Sequence, residues 1–439
     1  MKVTDYIVEF LINKGITDIF GYPGGVICHL IDSVTKYKDL NAHLNYNEQG
    51  SAFAACGYAQ ELNIPGVAFS TSGPGATNLM TGIANAYFDS IPAIFITGQV
   101  DTYALGDNYP VRQRGFQETN IVSMVKDITK YAVRVDDARR IKYELEKAYS
   151  IAVSNNPGPV LLDLPADVQR AYVMDIDLVE GYLGQQQTYN VEEAIFTINS
   201  AILKSKAPVL LIGNGVKQTN LCKEIRQFIE KVNIPAVFSL PAFDILPGEH
   251  KLNFGFIGTN GHRYANFVLG KSDLIISIGS RLDIRQIGLA REKFVPNAKL
   301  IRIDIDEAQF NYKVHEDEID IVADLKELVP KLINKITIAD YSKWIDVCKT
   351  IRFKLKGYDD KEYNKLITVI GEKIPENSRI TVDVGQHQLW IAQSMKVKNN
   401  QMVYMSAGHG AMGYSLPAAI GIYYATKKPV YVFTGDGGL

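Results

Sequence analysis

The sequence predicts an α/β protein of three doubly wound parallel-sheet domains, the third apparently truncated. Three observations carry this. Apolar runs of strand length alternate with helix-length stretches along the chain, which gives parallel sheets covered by helices on both faces. The runs end in glycine, serine or acid, so that loops gather at the carboxyl ends of the strands. A length of 439 residues exceeds one core and suits two or three.

In the first domain, 1–171, Thr4 is placed to cap a helix whose apolar face includes Ile7 and Leu11, with Gly15 as its stop. Asp18 to Phe20 reads as a strand closed by the turn at Gly24 and Gly25, with a helix from about Val26. Leu40 to Tyr46 is a strand leading to Glu48, after which Ala, Gly and Ser make a helix able to pack closely against neighbours. Val67 to Thr71 is a strand followed by Gly73-Pro74-Gly75 and a helix carrying Asn78 to about Tyr87, and Ile94 to Thr97 is the next strand. The stretch Pro157 to Val168 closes the domain with one more buried strand. A linker is expected over 172–190.

The middle domain, 191–334, has strands at 208–212, 273–278 and 300–303, ending at Gly213-Asn214-Gly215, Gly279-Ser280-Arg281 and Asp304. Glycines and acids at strand ends suit a dinucleotide, the acid taking a ribose hydroxyl. A charged, Lys-rich connection is expected over 335–363, and the third domain over 364–439. Its strand from Ile380 runs into Gly385-Gln386-His387, and the strand at 430–434 runs into Gly435-Asp436-Gly437-Gly438.

Composition narrows the function. Charged residues make up 21% and the net charge is -2, so no basic excess points to nucleic acid. The four cysteines, Cys28, Cys56, Cys222 and Cys348, form no CxxC pair, which argues against a disulfide framework and a zinc site and for a reducing, cytoplasmic setting. The first residues lack the pattern of a signal peptide, and no run reaches the apolar length of a membrane span.

Glu48 is the leading candidate for chemistry. An acid at a helix start is favoured by the helix dipole alone, so its position has two readings, a helix-start charge or a buried acid with a task. Gly24-Gly25, Glu48 and Gly73-Pro74-Gly75 all fall at the carboxyl ends of strands, where ligands of parallel sheets sit. Glycine pairs there serve equally as turns that need positive φ.

The stretch 43–59 around Glu48, Thr71-Ser72-Gly73-Pro74-Gly75-Ala76-Thr77-Asn78, Phe116-Gln117-Glu118, the run 406–421 with Gly410 and Met412, and Gly435-Asp436-Gly437-Gly438 together resemble the acetolactate synthase branch of the thiamine diphosphate enzymes. The resemblance covers essentially the whole chain. It implies a pyrimidine-binding, a middle and a diphosphate-binding domain, with Glu48 as the carboxylate on the aminopyrimidine ring. Gly24, Gly25, Phe116 and Gln117 would join it at the catalytic centre. Pro74, Asn78, Gly385, Gln386, His387, Gly410, Met412, Gly435, Gly437 and Gly438 would contact the cofactor, and Asp436 would bind Mg²⁺, which prefers hard oxygen ligands. Gly213, Gly215, Arg281, Asp283, Arg285 and Asp304 are the FAD candidates, although Ile284 and Asn260 depart from the flavin pattern.

The implied activity is a transferase or lyase reaction on pyruvate or a related 2-oxo acid, in which a two-carbon unit is added to a second carbonyl compound. Ala166 stands where the synthases usually carry lysine, and Arg112 and Arg114 precede Phe116 in a more basic approach than theirs. These departures leave open a keto sugar as acceptor. A simple 2-oxo acid decarboxylase and a cofactor-fold protein without turnover are the other readings. The family's interchain sites imply a homodimer or homotetramer. Its Gly-Asp-Gly motif continues beyond the point reached at Leu439, so the chain is expected to be part of a longer enzyme, with weak cofactor binding and no turnover by itself.

Overall fold

The computed structural model describes residues 1–174, 178, 180–184, 187–355, 357 and 361–439. The expected linker 172–190 and the connection 335–363 lie partly outside them.

The first sheet has six strands: β1 (Asp18–Gly21), β2 (Asn41–Leu44), β3 (Gly66–Ser70), β4 (Ala93–Gln99), β5 (Tyr131–Arg134) and β6 (Pro159–Pro165). Their order is β2-β1-β3-β4-β6-β5, and every pairing is parallel. β3, β4 and β6 are buried along their whole length, as strands covered on both faces must be. One apolar core gathers Ile7, Leu11, Val67 and Leu162, and the other gathers Phe20, Phe53, Ile83 and Phe95.

The first helix, Val3–Asn13, corrects one expectation. Lys2 is its N-cap, without a side-chain bond. Thr4 lies one residue inside and is buried against Ser33 Oγ at 2.7 Å. The chain enters this helix from a bridge between Lys2 and Tyr172, so main-chain pairing sets its start.

The helix Glu48–Leu62 is capped by Asn47, whose side chain accepts from Gln49 N at 2.8 Å, and ends at left-handed Asn63. Its small residues let the helix Ser415–Thr426 lie directly on it. A Cβ on Gly57 would stand 2.2 Å from Ala418 O, and one on Gly421 would stand 1.9 Å from Ala54 O. Tyr414 fastens this crossing, buried against Phe53 with its hydroxyl 2.5 Å from Gln60 Oε1.

The second sheet contains β7 (Pro208–Ile212), β8 (Ala236–Phe238), β9 (Asn253–Phe256), β10 (Leu274–Ile278), β11 (Lys299–Asp304) and β12 (Ile319–Val322) in the order β12-β11-β10-β7-β8-β9, again parallel. Part of the expected connection is helical: Ser342–Leu355 buries Trp344, Ile345 and Cys348. Trp344 Nε1 donates to Pro208 O at 2.9 Å, which seats this helix on the start of β7. The third sheet has three described strands, β13 (Arg379–Val382), β14 (Met402–Met405) and β15 (Val430–Phe433), in the order β14-β13-β15.

The chain forms two compact units. One holds the first sheet with residues 381–384 and 404–439, and the other holds the second sheet with residues 385–403. Among the described residues, no helix is long and apolar enough to cross a membrane.

Candidate active site

Three loops meet at the carboxyl rim of the first sheet. Glu48 opens its helix at the end of β2 and is 8% exposed. Asn78, at the end of the short helix Pro74–Asn78, donates from Nδ2 to Glu48 Oε2 at 2.9 Å. Oε1 accepts no hydrogen bond among the described residues and lies 3.1 Å from the position of a Cβ on Gly75.

Thr71, at the end of β3, links the remaining pieces: a Cβ on Gly24 would stand 2.4 Å from Thr71 Cβ. Gly73 has φ +60° and faces Gln117, whose Cβ and carbonyl oxygen are 3.0 Å from a Cβ built there. A side chain at Gly73 would meet both backbone strain and this contact. Gln117 is itself at φ 62°, while Phe116 points to solvent at 85% exposure. Around this rim Asn45 Nδ2, Thr71 Oγ1 and Ser72 Oγ are buried without a partner among the described residues. Such atoms suit a polar ligand, because leaving them unpaired costs about 1–3 kcal/mol each.

The basic approach is mostly structural. Arg114 donates to Tyr103 O at 2.6 Å and Leu105 O at 3.0 Å and lies over the Tyr109 ring. Glu118 accepts from the backbone N–H groups of Gly106, Arg114 and Gly115 at 2.6–2.9 Å. Although burial alone would raise its carboxyl, these three bonds bring it below the usual range. Ala166 opens the helix Ala166–Arg170 and is buried.

The second group of candidates is organised by Asp383, a residue that sequence reading did not single out. It is fully buried just after β13 and accepts from Val384 N, Gly413 N, Ser415 N and Ser415 Oγ at 2.8–3.0 Å. A buried acid at a strand end, two residues before a glycine, was the available signal. Met412 Sδ is 3.7 Å from a Cβ built on Gly437, and a Cβ on Gly438 would press on Asp383 and Thr434. Gly410 has φ +69°. Met412, at 61% exposure, and Asp436 face outward from this cluster. Among the described residues, no group of three or more His, Cys, Asp or Glu stands ready to hold a metal.

The loop that carries Met412 is anchored away from Glu48. Glu48 is bonded to Asn78, just before the helix Met80–Phe88, whereas Gly408 is bonded to Asp89 just after it. At 1.5 Å per residue the stretch from Asn78 to Asp89 spans roughly 16 Å.

In the other unit, Gly385 caps the helix Gln386–Ser394, with His387 folded back over it and His387 Nε2 buried without a partner among the described residues. Gly213 and Gly279 close on one another at the ends of β7 and β10, with 2.0 Å between a Cβ on Gly213 and Gly279 O, and Gly215 N donates to Gly279 O. Arg281 and Arg285 are exposed. Asp283 caps the helix Ile284–Ile287, and Asp304, whose carboxyl burial pushes upward, accepts from Asp306 N at 3.0 Å. Both acids expected at a flavin are thus engaged by their own loops.

Three segments of the chain match known family models. Residues 1–124 match the family described as the thiamine pyrophosphate enzyme N-terminal TPP binding domain, 195–332 its central domain, and 383–439 its C-terminal TPP binding domain. The chain is 36% identical to the acetolactate synthase isozyme 1 large subunit of Escherichia coli over 99% of its own length and 77% of the relative's. It is also 36% identical to the acetolactate synthase large subunit of Lactococcus lactis, over 98% and 75%. A probable acetolactate synthase large subunit of Methanocaldococcus jannaschii is 36% identical over 100% and 76%. The fold is that of a thiamine diphosphate-dependent enzyme. Within that class, the chain belongs to the acetolactate synthase-like family.

Proposed function

We propose that the chain is a carboligase that decarboxylates pyruvate or a related 2-oxo acid and adds the two-carbon unit to a second carbonyl compound. The observation that carries this reading is the buried Glu48 carboxylate, held through one oxygen by Asn78 while the other is left for a ligand. Thiamine diphosphate, when bound, supplies an electron sink that stabilises a carbanion next to a carbonyl.

Glu48 Oε1 would hold and move a proton at the cofactor's aminopyrimidine ring, the task for which a buried, oriented carboxylate is suited. Asn78 fixes the rotamer of that carboxylate. The backbone at Gly24, Gly25 and Gly75 and the unpaired atoms of Asn45, Thr71 and Ser72 receive the ring. Gln117 and Phe116 line the approach of the second substrate. On the other half, Met412 would support the folded cofactor, and the backbone at Gly410, Gly435, Gly437 and Gly438 would take the diphosphate. Asp436 would offer Mg²⁺ one hard oxygen.

The separation of the two halves supports a further part of this reading, that the site is completed by a second copy in a C2 dimer. FAD at the end of the second sheet is also proposed, and no step depends on it. Absorbance of the purified protein in the flavin bands checks that part. Product analysis with pyruvate tests the whole: a condensed hydroxy-keto product supports the carboligase, and free aldehyde as the sole product overturns it in favour of a decarboxylase.

A further inference from the structure

We propose that Asp89, together with Asn85, is a positioning residue for the loop from Ala407 to Met412, and that each helix Met80–Phe88 therefore serves two different sites at its two ends. This rests on the two-copy reading given above.

Asp89 follows the last turn of Met80–Phe88 and is 7% exposed. A carboxylate there opposes the negative end of the helix dipole, so helix stability does not account for it. What it does is accept from Gly408 N at 2.6 Å through Oδ1 and from Ala407 N at 3.2 Å through Oδ2. One turn earlier, Asn85 Oδ1 accepts from Ser406 Oγ at 2.5 Å, and that oxygen in turn accepts from Gly410 N and Ala411 N at 3.0 and 3.1 Å.

Four successive loop amides, apart from that of His409, are thus fixed by one helix end. The His409 ring stacks on Phe88 at 5.5 Å and 9°. A Cβ on Gly408 would stand 2.6 Å from Phe88 O, so the chain passes directly against this terminus. The start of Met80–Phe88, at its other end, directly follows Asn78 and its bond to Glu48. In a dimer whose sites form between chains, the pyrimidine half at one end and the Met412 loop at the other belong to different sites, and a shift along the helix reaches both.

Hydrogen exchange of the full chain without cofactor tests the clamp. In Asp89→Ala the amides of residues 407–411 exchange roughly tenfold faster or more, while those of 73–79 are unchanged. Ser406→Ala gives the same selective loss at Gly410 and Ala411 should the first variant fold poorly. Unchanged protection at 407–411, or an equal rise at 73–79, overturns the proposal.

Mixed dimers test the assignment to two sites. Glu48→Gln chains combined with Asp89→Ala chains regain one intact site, hence activity well above either parent, if Asp89 serves the loop of its own chain. No regain overturns the assignment, provided that Glu48→Gln mixed with Asp436→Ala does recover. Failure of that control instead removes the interchain reading and leaves the exchange result to judge the clamp.

Discussion

Asn78 Nδ2 donates to Glu48 Oε2 at 2.9 Å, across 30 residues of sequence, joining the start of the helix after β2 to the end of the short helix after β3, two strands that flank β1. If Glu48 moves the proton, Glu48→Gln keeps the shape of this contact and lowers turnover by roughly 10²–10⁴ while leaving thermal stability nearly unchanged. Asn78→Ala removes only the orienting donor and costs about tenfold. Steady-state kinetics on both variants check the order of the two effects, and unchanged turnover in Glu48→Gln removes its assignment.

Asp163 provides a pH prediction independent of the chemistry. It lies in β6 with Thr97 Oγ1 at 2.7 Å and Gln99 Nε2 at 3.0 Å, and burial pushes its carboxyl up to about 7. The folded chain therefore binds this proton more tightly than the unfolded chain. Its contribution is present at low pH and is lost as pH rises from the unfolded carboxylate range through about 7, at up to about 1.4 kcal/mol per pH unit. Asp163→Asn flattens that part of the profile, as urea titrations at pH 5, 6, 7 and 8 will show; a parallel profile in both proteins refutes it.

The crossing of Glu48–Leu62 by Ser415–Thr426 predicts a contrast between two glycines. Gly421→Ala places a methyl against the Ala54 carbonyl and destabilises the chain by roughly 1–3 kcal/mol or more. Gly270→Ala, at the end of the helix Arg263–Gly270 with open space around it, is neutral or stabilises by up to about 1 kcal/mol. Denaturant midpoints of the pair decide whether close approach governs the first site.

Asp383 collects four hydrogen bonds from residues 384, 413 and 415. Asp383→Ala leaves buried donors unpaired and costs on the order of 3 kcal/mol, whereas Asp383→Asn retains part of the network. Thermal unfolding ranks the two, and equal stability of Asp383→Ala and the parent chain contradicts the role.

Much of the architecture was legible because long buried strands leave continuous apolar runs. β4, β6, β7 and β10 could be read directly, whereas β5, β8, β12 and β14, of three or four residues, could not. The helix Ser342–Leu355 was hidden by its lysines, although Trp344, Ile345 and Cys348 have the spacing of one buried face. The meeting of Gly24, Glu48 and Gly75 followed from strand ends alone. The separation of that group from Met412 did not, since it depends on how residues 404–426 pack onto helices more than 300 positions earlier. Nor did the engagement of Asp283 and Asp304 by their own loops, which only hydrogen-bond geometry reveals.

That packing has a consequence during synthesis. The face of Glu48–Leu62 that carries Gly57 and Ala54 is covered by Ala418 and Gly421, which leave the ribosome some 360 residues later. At about 5–20 residues per second, an alanine-rich helix face waits tens of seconds for its cover. Nascent chains of this protein should accordingly engage holding chaperones through this first-made surface, and the engagement should end when the Ser415–Thr426 segment emerges.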